Sequence, residues 1–160
     1  MANEDNSRIG REFEEKVMAW FEEHHNVGFS RKSDVNMISI GDPPKKHEFD
    51  VVSEDRSFVI ECKCFTWTIT DGMPSGKMKS ISEAVLRLSF ISNAKTFVVI
   101  KKSYSNKRKE TLAEYYYRRF GHMLRRTRIL EFEYDDKNQT MREIVRKEEK
   151  TCSVQLSAIL

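Results

Sequence analysis

Apolar positions along this chain change period several times, and each change marks an element. From about Ser7 to His25, Ile9, Phe13, Val17, Trp20 and Phe21 recur at helical spacing and predict an amphipathic helix. Val35, Met37, Ile38 and Ile40 predict a strand within about 29–40, which Gly41-Asp42-Pro43-Pro44 ends. Two short apolar runs, about 47–53 and 57–65, flank Glu54-Asp55-Arg56-Ser57 and predict a hairpin. A polar loop over 66–76 carries Trp67 and Met73, and a second helix is expected from about Met78 to Asn93, burying Ile81, Ala84, Val85, Leu88 and Ile91. Thr96 to Ile100 predicts a buried strand entered directly from that helix. A further helix is expected from about Lys109 to Leu124, with Leu112, Tyr116, Phe120 and Met123 inward, then an edge strand over 128–134. The tail is charged to Lys150 and apolar at Val154, Leu156, Ile159 and Leu160, an element expected to pack late onto the core.

The hairpin runs break the pattern of a core strand. His47-Glu48-Phe49-Asp50-Val51-Val52 and Phe58-Val59-Ile60-Glu61-Cys62-Lys63 each carry charge in the middle. An unpaired buried charge is expensive, so it persists only where something compensates it. A turn centred on Asp55 and Arg56 sets Val51 against Ile60 and Asp50 against Glu61. Directly opposed residues share a face, with Cβ atoms roughly 4.5–5.5 Å apart. Alternation returns Lys63 to that face, across from Glu48, and puts Phe49, Val51, Phe58, Ile60, Cys62 and Cys64 on the core face. Opposed carboxylates repel unless a cation sits between them, and oxygen donors suit a hard ion such as Mg²⁺ or Mn²⁺.

An acid, a hairpin, then an acid one residue from a lysine resembles the active-site signature of the PD-(D/E)xK nuclease superfamily. Asp50, Glu61 and Lys63 match its three positions, with Phe49 where a proline often stands. Upstream, Gly10-Arg11-Glu12-Phe13-Glu14 is similar to the Gly-x-x-Phe-Glu pattern of the first helix in restriction-type and resolvase-like members. Glu14 falls at the border of the apolar stripe, where it either snorkels or turns toward the site. The resemblance implies an α/β fold with a restriction-endonuclease-like αβββαβ core over about 8–100, a mixed sheet flanked by helices, and an elaboration over 101–160 of the same domain. It implies Mg²⁺ or Mn²⁺ held by Asp50, Glu61 and the Cys62 backbone carbonyl. Lys63 and Glu14 would complete the catalytic set.

Apolar residues make up 39% of the 160 and charged residues 33%, the balance of a globular chain. No apolar run approaches the roughly 20 residues of a membrane span, and the start lacks the pattern of a signal peptide. Three cysteines fit a reducing, cytoplasmic setting, and Cys62 and Cys64 read as core thiols, not half of a zinc site.

Charge is uneven. Residues 101–128 hold ten Lys or Arg against two acids, a local +8, while the remaining 18 basic and 23 acidic residues make −5 of the +3 total. Such polarity points to a phosphate backbone as partner, DNA favoured over RNA. Lys101, Lys102, Lys107, Arg108, Arg118, Arg119, Arg125 and Arg126 are the expected contacts, joined by Lys77 and Lys79 at the start of the second helix. Tyr104 and Tyr115-Tyr116-Tyr117 add rings that either stack on bases or pack inward. The expected function is metal-dependent hydrolysis of a phosphodiester by a DNA endonuclease, with a homodimer expected by analogy. Two other readings fit the same residues: a nucleic-acid-binding module that has lost cleavage, and a structural network of Asp, Glu and Lys.

Overall fold

A computed structural model describes residues 2–38, 43–135 and 137–145. The chain runs α1 (Ala2–His24), β1 (Phe29–Asn36), β2 (Lys46–Ser53), β3 (Phe58–Lys63), α2 (Ser75–Leu88), β4 (Lys95–Lys101), β5 (Tyr104–Ser105), β6 (Glu110–Thr111), α3 (Leu112–Phe120), a 3₁₀ turn at Gly121–Met123, β7 (Arg128–Tyr134) and β8 (Gln139–Glu143). Six strands form one mixed sheet in the order β1-β2-β3-β4-β7-β8; β5 and β6 form a separate small ribbon. The helix–three strands–helix–strand order expected over the first hundred residues is the order found. Ile40, Gly41, Asp42, Cys152 and the apolar tail fall outside the described residues.

Each face of the sheet buries a separate cluster. Phe13, Val17 and Phe21, four residues apart on α1, pack over Phe29, Val51, Phe58, Ile60, Phe97, Val99, Leu130 and Phe132. Four-residue spacing keeps them on one side of the helix, as expected; Ile9, the stripe's outer member, stays exposed. On the other face α2 buries Met78, Ile81, Ala84, Val85 and Leu88, and α3 adds Leu112, Ala113, Tyr115 and Tyr116 over Val52, Val59, Val98 and Ile100. β3 and β4 are parallel, joined by α2 as a crossover.

The β2–β3 turn fixes the register. Asp55 Oδ1 accepts from Ser53 Oγ at 2.7 Å, Ser57 Oγ at 2.6 Å and the Ser57 amide at 2.9 Å, and Arg56 takes a left-handed φ of 61°. This closes a four-residue loop and pairs Val51 with Ile60 and Val52 with Val59, the expected alignment. Gly28, after α1, abuts the same turn: a Cβ there would lie 2.7 Å from the Glu54 carboxyl carbon.

Three expectations give way to tertiary context. Residues 128–134 form an interior strand, not an edge one, because β8 pairs along them and takes the edge. α3 begins at Leu112, since Thr111 and Glu114 form a capping box; Met123 falls outside the helix and is exposed. α2 begins three residues earlier than expected and ends at Leu88, leaving Ile91 buried beyond its end.

Phe13 lies against the rings of Phe132 and Tyr134, with centroids 6.1 and 6.0 Å away, and is fully buried. Phe13→Ala should therefore destabilise the protein by about 3–5 kcal/mol in urea unfolding, with an unchanged denaturant slope. A loss below about 1 kcal/mol would show that α1 is not part of the core.

Candidate active site

The site lies where the β1–β2–β3 ladder opens. β1 and β2 pair in constant register from Phe29↔Ser53 to Asn36↔Lys46, except at Lys32 and Asp50, which drop out of the ladder. Lys32 there has φ 53°, a left-handed conformation rare for a side chain with a Cβ. Alternation breaks at the same place. Val51 packs under α1, whereas Phe49 packs on the α2 face with Val52. Strict alternation from Val51 would have put Phe49 under α1, so that placement is corrected.

The Asp50 carboxylate stands at this break. Its Oδ2 accepts the Cys62 amide at 2.8 Å, in the gap beside the last β2–β3 pair, and its Oδ1 meets Lys32 Nζ at 2.5 Å. Glu61, only 4% exposed, stands one register step beyond Val51↔Ile60. Lys63 Nζ donates to Glu61 Oε2 at 3.0 Å, and His47 Nε2 lies 3.5 Å from Glu61 Oε1. Lys63 thus pairs with Glu61; Glu48, expected across from it, is exposed and aligned with Asp34 of β1.

Glu14 arrives from α1. Arg31 Nη2 reaches its Oε2 at 2.6 Å, and Lys32 Nζ reaches its Oε1 at 3.1 Å. The Lys32 ammonium therefore bridges Glu14 and Asp50, and the helix glutamate turns toward the hairpin.

The electrostatics separate the two strand acids. Burial would raise Asp50, but the Lys32 hydrogen bond, the Cys62 amide and the Lys32 charge outweigh it and hold its carboxyl below the usual range. Burial pushes Glu61 up; Lys63 opposes this, and the Asp50 carboxylate, within hydrogen-bonding reach, adds to it. Burial works against the Lys32 ammonium, yet Asp50 and Glu14 keep it above its ordinary range. The Cys62 thiol is pushed well up by burial and then by the charges of Asp50, Glu14 and Glu61. Cys62 and Cys64 pack with the cluster under α1, as core thiols do.

Arg31, Lys32 and His47 are site neighbours that the hydrophobic pattern does not disclose. The signal for the first two was the register: Arg31 pairs with Val51, which sets Lys32 beside Asp50. Among the described residues no group of three or more His, Cys, Asp or Glu side chains is arranged to hold a metal ion. Asp50, Glu61 and Glu14 nevertheless offer hard oxygen donors, and a cation, the Lys32 ammonium, already sits between two of them. The donor set fits a divalent ion in chemistry.

The expected phosphate contacts do not gather on one surface. Lys101 ends β4 at the end of the sheet where Lys63 ends β3, and Lys102 follows it. Lys77 donates to the Thr66 carbonyl at 3.4 Å and Lys101 lies over the Tyr134 ring at 5.6 Å, while Lys102 is paired with Glu133 at 2.6 Å. Lys79, Lys107 and Arg119 are exposed, and Arg108 covers the rings of Trp67 and Tyr115 at 5.3 Å. Arg118 pairs with Glu110 at 2.7 Å. Arg125 and Arg126 precede β7, which runs parallel to β4, and so lie toward the opposite end of the sheet. Tyr115 and Tyr116 are core residues; Tyr104, 51% exposed, keeps a free face. The grooves along α2 share no residue with the site.

The opposite shifts of Asp50 and Glu61 give opposite pH dependences. The depressed Asp50 stabilises the fold above its ordinary range, and that contribution is lost as pH falls through its lowered value. The raised Glu61 favours its neutral form, a contribution complete below the ordinary carboxyl range and lost as pH rises through its raised value. In chelator-treated protein, Glu61→Gln should gain melting temperature relative to wild type as pH rises from about 4 to 7. A difference that does not change with pH would contradict this assignment.

No family model, curated protein or solved structure matches this chain.

Proposed function

We propose that this protein hydrolyses phosphodiester bonds in nucleic acid with Mg²⁺ or Mn²⁺, as a DNA endonuclease on a restriction-endonuclease-like core. One observation carries the reading: the acid of one strand and the acid-x-lysine of the next meet where the ladder between them opens. The opening brings the Asp50 carboxylate, Glu61 and Lys63 together near the end of β3, which runs parallel to β4. Helix order, the parallel crossover and the turn of Glu14 toward Asp50 support the same reading.

Asp50 and Glu61 would hold the ion, with the Cys62 carbonyl as a further donor and Glu14 closing the set. When bound, the ion lowers the pKa of a bound water and stabilises charge developing on phosphate oxygen. Asp50, kept ionised by its neighbours, supplies a permanent anionic ligand. Burial and the Asp50 carboxylate raise the Glu61 carboxyl, and a bound cation would favour its ionised form. Lys63, anchored on Glu61, positions the attacking water and offsets charge at the phosphate. Lys77 and Lys101 beside Cys64, with Lys102 next to them, extend the positive surface toward a flanking phosphate.

A second reading draws on the pairing already present. Glu14 is matched by Arg31 and Lys32, Asp50 by Lys32, and Glu61 by Lys63, the state of a structural ion network. One assay separates the readings. Plasmid, single-stranded and branched DNA, and RNA are incubated with Mg²⁺ or Mn²⁺ and wild type, Glu61→Ala or Lys63→Ala. Wild-type cleavage that falls by roughly 100-fold or more in both variants is expected. Cleavage that survives both rejects the site; binding without cleavage identifies an inactive module; neither activity identifies the network.

A further inference from the structure

The strand lysine that the signature does not include occupies a distinctive place. Lys32 Nζ lies 2.5 Å from Asp50 Oδ1 and 3.1 Å from Glu14 Oε1. The other oxygen of each carboxylate is engaged elsewhere, Asp50 Oδ2 by the Cys62 amide and Glu14 Oε2 by Arg31. Lys32 therefore engages the remaining oxygen of each carboxylate. Its own backbone is left-handed at φ 53°, at the one step where β1 and β2 cease to pair. That conformation aims the side chain across the gap instead of along the strand. The side chain is also 44% exposed, against 13% for each carboxylate it bridges. An ammonium at this depth can withdraw into water while Arg31, Asp50 and Glu14 stay in place.

We propose that Lys32 is the resident counter-ion of this site: its ammonium fills the cation position between Glu14 and Asp50, and a divalent ion enters by displacing it. The inference rests on the reading of the site as one that binds a divalent ion, and adds to it a built-in competitor. One positive charge leaves as two arrive, so the carboxylates are never left facing each other uncompensated. Metal affinity in the wild type is accordingly lower than its donor set would give.

The test is calorimetric titration with Mn²⁺ alone, with no nucleic acid and no turnover. Wild type is compared with Lys32→Met, which keeps the stem and removes the charge, and with Lys32→Gly, which removes the side chain and suits the left-handed backbone. Folding of both is checked by circular dichroism, and the glycine variant keeps the test open if the methionine variant is unstable. Both should bind Mn²⁺ roughly tenfold or more tightly than wild type. The gain should disappear when Glu14→Gln is added. Equal affinities in wild type and both variants would overturn the inference, while loss of binding in Asp50→Asn would still uphold the divalent-ion reading. No binding by wild type or by either Lys32 variant would overturn both.

Discussion

The site depends on one substitution in the hydrogen-bond ladder: the Cys62 amide is given to the side chain of Asp50. Strand pairing between β2 and β3 stops after two residue pairs, and the carboxylate fills the place of a main-chain acceptor. A buried amide must find a partner, so this bond lets the strands separate without leaving an orphan donor. It also keeps Asp50 ionised and pinned in the plane of the sheet. Glu61 and Lys63 approach from the α2 face, and Glu14 from the α1 face.

Everything around the opening serves to hold it in place. The Asp55 side chain locks the four-residue loop and hence the register that sets Asp50 and Glu61 each one step beyond the Val51–Ile60 pair. Gly28 lets the end of α1 lie against that loop, and Phe13, Val17 and Phe21 fix the helix over β2 and β3. Glu14, next to Phe13 in sequence, thereby reaches Lys32 and Arg31. The left-handed Lys32 marks the strain of the opening, a feature that tends to survive where the surroundings demand it.

Much of this was legible in the sequence. Period changes located α1, α2 and β4, because their apolar faces pack against one sheet and carry the period of their own geometry. The sum rule for a hairpin placed Val51 against Ile60, since register follows from the turn alone. Phe49 went to the wrong face because alternation assumes an unbroken strand, and the break at Lys32 and Asp50 shows only in the pairing of β1 with β2. Arg31 and Lys32 escaped for the same reason. The basic stretch of 101–128 is spread in space, because the chain crosses the sheet from the end of β4 to the start of β7. Tyr115 and Tyr116 went to the core, where Tyr116 bonds Ser82 at 3.0 Å, and Tyr104 stayed exposed.

The central claim is that the opened ladder forms a cation site shared by Asp50 and Glu61. The most direct measurement is anomalous diffraction from a crystal grown with Mn²⁺. The account predicts a peak roughly 2.0–2.4 Å from carboxylate oxygens of both residues, with Lys32 Nζ withdrawn from Asp50. A map with no peak there, and Lys32 still bridging Glu14 and Asp50 at saturating Mn²⁺, would contradict it.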